Sequence, residues 1–133
     1  MADITETIGP LGEDHPKGHR QTMLPNPMTG SFVADDTDNH DFRFKGVGKG
    51  RMTIGLDNPS NKTVTWALYG SFDKDGEVGD VALFPITTGQ TLATATKVYE
   101  TNNDPFPFYL FRATVAAGGD STTISLFIYL SAF

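Results

Sequence analysis

The sequence contains no cysteine, so disulfide staples, thiolate-bound zinc and cysteine nucleophiles are all excluded. Histidine is scarce, with three copies, and they fall at His15, His19 and His40. Cations are outnumbered: ten Lys and Arg stand against sixteen Asp and Glu, for a net charge of −6. A general nucleic-acid binder needs a basic surface, and this chain does not have one. No stretch approaches the roughly 20 apolar residues of a membrane span. The opening run MADITETIGPLGED has neither the basic start nor the apolar core of a secretory signal. Nucleic acid and membrane are therefore not expected partners. At 38% hydrophobic residues the chain is also poor in core material, so part of it is expected to lie outside the core.

What is abundant points to strands and turns. Glycine (14) and phenylalanine (10) are frequent, and the 133 residues suit one domain. Residues 1–30 stand apart. Pro10, Pro16, Pro25 and Pro27 with Gly9, Gly12, Gly18 and Gly30 leave no room for a helix or a central strand. This region reads as an extended arm, with Ile8, Leu11, Met23, Leu24 and Met28 as apolar anchors for a partner's groove. An acidic loop follows, and the expected division is residues 1–40 for arm and loop and residues 41–133 for the folded domain.

From Asp41 onward apolar residues alternate with polar ones. Phe42 and Phe44, then Met52, Ile54 and Leu56, suggest two strands joined as a hairpin by the glycine-rich GVGKG. Val64, Trp66, Leu68 and Phe72 are expected on one face of the next strand, which makes Trp66 a core residue rather than an exposed sugar-stacking ring. A short strand ends at Pro85 and another centres on Val98. Two more carry Tyr109, Phe111, Ala113 and Val115, and Ile124, Leu126, Ile128 and Leu130. About eight strands with turns every 8–12 residues predict an all-β antiparallel sandwich, jelly-roll or immunoglobulin-like. The last strand is apolar on its second face too, through Phe127 and Tyr129. With Phe133 these form a candidate self-association surface.

The chemistry-bearing candidates are weak. His15 and His19 have helical ligand spacing, but Pro16 and Gly18 interrupt it. DKDGEVGD has the carboxylates of a calcium loop without its closing glutamate or flanking helices, and reads as a hairpin turn. A catalytic His40 would need Asp35 or Asp38 beside it in a pocket. No cofactor, no metal and no enzyme activity are expected. Arg43, Lys45, Lys49 and Arg51 fall on one face of the expected hairpin as a basic patch for an acidic partner.

The second half resembles a family. VTWALYGSFD, a spacer, and LATATKVYETNNDPFPFYLFRATVAAGGDSTTISLFIYL are similar to tailed-bacteriophage virion β-sandwich proteins. The matching residues are Trp66, Leu68, Gly70, Ser71 and Asp73, then Pro107, Tyr109, Leu110, Arg112, Thr114, Gly118, Gly119, Ile124 and Leu126. Among these, small acidic cysteine-free chains with an N-terminal arm look like capsid decoration, or cement, proteins. The resemblance implies a homo-oligomer, a trimer above all, bound outside the head and bridging subunits of the major capsid protein by its arm. It also implies a virion location, with host cytoplasm during assembly. A carbohydrate-binding module or a tail or baseplate module is the alternative. Fold alone does not decide between these roles.

Overall fold

A computed structural model of the chain describes residues 19–22 (backbone only), 27–46, 50–116 and 121–131. These contain nine strands and no helix. They are β1 (His19–Thr22), β2 (Met28–Val33), β3 (His40–Lys45), β4 (Arg51–Asn58) and β5 (Val64–Ser71), then β6 (Leu83–Leu92), β7 (Thr96–Asn102), β8 (Phe108–Val115) and β9 (Thr123–Ser131). They make two sheets, β1-β3-β8-β5-β6 and β2-β9-β4-β7. Every pairing is antiparallel except that of β1 with β3. The protein is an all-β sandwich. From β2 to β5, and again from β6 to β9, successive strands alternate between the sheets, which is a jelly-roll order.

Period-two alternation explains the core. On β4, Met52, Ile54 and Leu56 are buried, and on β9, Ile124, Leu126, Ile128 and Leu130. They face Phe42 and Phe44 of β3, Val64, Trp66 and Leu68 of β5, and Tyr109, Phe111, Ala113 and Val115 of β8. Trp66 stacks on Phe111 at 5.4 Å between ring centroids, and Phe44 on Tyr109 at 5.2 Å. The ends of the strands are tied as well. Fully buried Asn58 donates to the carbonyls of Lys62 and Ala93, and its Oδ1 accepts from the Ser60 hydroxyl at 2.6 Å. That network joins the end of β4 to the end of β6.

Four expectations change. Met28 is a core residue of β2, not an arm anchor, and β2 pairs along its length with β9. The folded body therefore reaches back to Met28 rather than starting at Asp41. The segments β3 and β4 are not a hairpin, because they lie in different sheets. Two stretches with the same period look alike in sequence whether they pair or face each other. Strand β6 does not stop at Pro85 but runs through it, as an edge strand allows, since a proline there need not donate to a second neighbour. Phe72, expected inside, lies just beyond the end of β5 and is 63% exposed.

Candidate functional site

The two sheets differ on their outer faces. On the five-stranded sheet, Asp41, Arg43, Ala67, Leu110 and Ser71 point outward by alternation, yet all are buried. The β5–β6 connection, residues 72–82, folds back onto Arg43 and Ser71 among them. Arg43 Nη1 donates to the carbonyl of Gly76 at 2.6 Å, and its other terminal nitrogen lies 3.8 Å from Glu77. The Ser71 hydroxyl donates to the Asp73 carbonyl at 2.6 Å and accepts from the Asp73 amide. Beside this roof, Arg112 grips Asp41 with two bonds of 2.7 and 3.0 Å. That bond to Asp41 holds the Arg112 guanidinium above its ordinary pKa, against the opposing effect of partial burial.

The acidic turn within the roof uses its carboxylates on its own backbone. Asp73 accepts from the Asp75 amide, and Asp80 from the Glu77 amide. Among the described residues no group of three or more His, Asp or Glu is placed to hold a metal ion. His40 Nε2 meets Asp36 Oδ1 at 3.1 Å. Its ring is only 2% exposed and stacks on Phe32 at 4.3 Å, which makes it part of the packing.

Among the described residues, nothing covers the outer face of the four-stranded sheet. Register defines its rows. Tyr99, Gly55, Phe127 and Thr29 line up across β7, β4, β9 and β2. The next row is Thr101, Thr53 and Tyr129, and the row on the other side is Lys97, Asp57, Ser125 and Ser31. Tyr99 is 76% exposed, Phe127 48% and Tyr129 51%. Of the three residues named for self-association, Phe127 and Tyr129 are exposed on this face, whereas Phe133 lies outside the described residues. Tyr99 was not anticipated. Its strand pattern points to Val98 as the inward residue, and the outward neighbour draws notice only once β7 is set beside Gly55.

A second aromatic group sits at one end of the sandwich, where Phe72, Phe84 and Phe106 meet with centroids 5.6–6.1 Å apart. Phe106 lies over Gly70, where an added Cβ would come within 2.2 Å of its ring. The Tyr109 hydroxyl holds this turn, donating to the Asp104 carbonyl at 2.7 Å and accepting from the Phe106 amide at 3.0 Å. Burial raises the Tyr109 pKa, the Phe106 bond opposes that, and nearby Asp104 adds to the rise.

The expected basic patch is dispersed. Arg43 is buried under the roof, while Lys45 and Arg51 are exposed on different sheets. Lys49, like the arm residues Ile8, Leu11, Met23 and Leu24, lies outside the described residues. Gly118 and Gly119 of the resemblance do too. Most of its other residues have framework roles: Trp66, Tyr109, Leu110, Ile124 and Leu126 are buried, and Gly70 leaves space for Phe106.

No protein-family model matches the chain, and no curated protein matches it in sequence. Solved structures do. The pre-peptidase C-terminal domain of a collagenase from Bacillus anthracis superposes with a TM-score of 0.59 at 16% identity, covering 87% of this chain and 99% of that one. CorA, a surface-associated copper-binding protein of Methylomicrobium album BG8, superposes with a TM-score of 0.50 at 9% identity, covering 82% and 99%. These likenesses show a shared fold. The chain is a β-sandwich module.

Proposed function

We propose that this module binds rather than catalyses, and that it decorates the outside of a tailed-phage head. The segment ahead of the sandwich fastens it to the major capsid protein, and the sandwich is displayed. One observation carries this reading: the attachment point and the bare face belong to different sheets. Strand β1 extends the edge of the five-stranded sheet by pairing with β3 from His19↔His40 to Thr22↔Arg43. Residues 1–18 therefore join the body at that edge, while Tyr99, Phe127 and Tyr129 occupy the outer face of the other sheet. On this reading the partner is held at the β1 edge, and the outer face of the other sheet is displayed.

The resemblance in residues 63–130 supports the virion assignment, and the proline- and glycine-rich composition before Met28 supports the strap. A strap of that kind gains its holding power from an extended partner surface. A shell with many copies of one site supplies that and adds avidity.

Co-sedimentation with undecorated capsids tests the reading. The full chain should pellet with the shells, and a chain lacking residues 1–18 should stay in the supernatant while remaining folded. Undiminished pelleting of the truncated chain would defeat it. The truncation stops short of Met28 because β2 belongs to the core.

A further inference from the structure

We propose that the peptide bond between Asp104 and Pro105 is a self-cleavage site, with the Asp104 carboxyl as nucleophile and the Tyr109 hydroxyl as donor to the reacting carbonyl oxygen. This activity is independent of capsid attachment. The bond lies in the turn between β7 and β8. An aspartate that attacks its own backbone carbonyl closes a five-membered ring, and a tethered nucleophile of that kind acts at high effective concentration. Proline makes the bond a tertiary amide, so its nitrogen leaves as a secondary amine. Asp104 and Pro105 are both exposed, and water reaches them.

The carbonyl that would react is the one Tyr109 holds. Its hydroxyl donates to the Asp104 carbonyl oxygen at 2.7 Å and accepts from the Phe106 amide at 3.0 Å. Accepting the second bond strengthens the first. Burial raises the Tyr109 pKa, so the hydroxyl keeps the proton it donates. Tyr109 stands on β8, between β3 and β5, and its ring stacks on Phe44 at 5.2 Å. The donor is therefore fixed in the sandwich while the bond it touches lies in an exposed turn. A donor fixed at the oxygen where negative charge develops stabilises the tetrahedral intermediate.

Both sides of the bond are also held. On the acyl side, Asn102 Nδ2 lies 3.2 Å from Asp104 Oδ2, and its Oδ1 lies 3.3 Å from the Asp104 amide nitrogen. On the amine side, the Phe106 ring packs over Gly70, and the Gly46 amide donates to the Pro107 carbonyl at 2.8 Å. In the reaction a carboxyl oxygen of Asp104 bonds to the carbonyl carbon, the C–N bond breaks, and the carboxyl proton passes to the Pro105 nitrogen. One water then opens the cyclic anhydride. Asp104 is left with two free carboxyls, and Pro105 becomes a new N-terminus. The fragments 1–104 and 105–133 stay together, because β8 and β9 pair with strands of the first fragment on both sides.

The test is incubation of the intact folded chain at about pH 4, where carboxyl groups exchange their protons, read by denaturing gel and mass spectrometry. One pair of fragments should accumulate, ending at Asp104 and starting at Pro105. Asp104→Ala and Pro105→Ala should remove both. Tyr109→Phe should slow cleavage about tenfold or more. The wild-type chain unfolded in urea at the same pH should also cleave about tenfold more slowly, a comparison that needs no variant to fold. Absence of these fragments from the folded chain would overturn the inference. So would equal rates in urea, or a wild-type rate in Tyr109→Phe, since the hydroxyl would then only tie the turn.

Discussion

The two outer faces of the sandwich come from strands of the same period, yet among the described residues one is roofed and the other is bare. Both carry large apolar side chains: Leu110 outward on β8, and Phe127 and Tyr129 outward on β9. What separates them is the connection between β5 and β6. Residues 72–82 are long enough to fold back, and Arg43 Nη1 holds the Gly76 carbonyl at 2.6 Å. The four-stranded sheet has no equivalent cover among the described residues. An aromatic group is ordinary when a loop has been spent on covering it, and informative when none has.

The comparison can be broken first on the roofed side. Leu110→Ala removes a side chain that is 1% exposed, and should cost about 2–4 kcal/mol in urea unfolding; a loss below 1 kcal/mol would mean that the roof is not packed. Asp41→Ala leaves Arg112 without its doubly bonded partner. It should cost about 2–3 kcal/mol, less than for a fully buried pair because the Arg112 side chain is 24% exposed. Gly76→Val presses on Ser71 Oγ at 2.6 Å and Leu83 Cδ1 at 3.2 Å. About 1–3 kcal/mol should be lost by lifting the turn, with faster proteolysis in residues 72–82 as the local sign.

A pH dependence sharpens the contrast. The folded-state pKa of Tyr109 is raised, chiefly by burial. The unfolded chain therefore loses its tyrosine proton first, near pH 10. The contribution is complete below that pH and is lost as pH rises from there through the folded pKa. Melting temperatures should fall above about pH 10 in the wild type and less steeply in Tyr109→Phe, whose baseline is lower because two hydrogen bonds are gone. The smallest effects belong to the bare face. Tyr99→Ser and Phe127→Ser should each change stability by no more than about 1 kcal/mol, the scale of a cross-strand pair. A larger loss would show that these rings are structural and would remove the reason to regard the face as a binding surface.

Much of the fold was legible in the residues. Alternation identified Phe42, Met52, Ile54, Trp66, Phe111 and Ile124 as inward, and all are buried. Turn chemistry placed the breaks near Asp57–Asn61 and Asp73–Gly76. Two of the errors share one cause. Periodicity reports which side chains lie on the same side of a strand, not which strand lies next to it. Hence β3 and β4 looked like a hairpin, and Arg43 like a surface charge. Met28 was lost behind Pro25 and Pro27, whose density hides a strand that begins immediately after them.

The candidate site divided the same way. Phe127 and Tyr129 stood out because the final strand has apolar residues on both faces. Tyr99 and Gly55 did not, since each is unremarkable within its own strand. The amino-acid sequence by itself determined the strands, their inward faces, the absence of thiol chemistry and the acidic balance, because each depends on residue type or local spacing. Only the tertiary structure decided which outer face is covered and which rings share a row. Both depend on how non-consecutive strands pair and where one loop comes to rest, and those are set by packing between residues far apart in the chain.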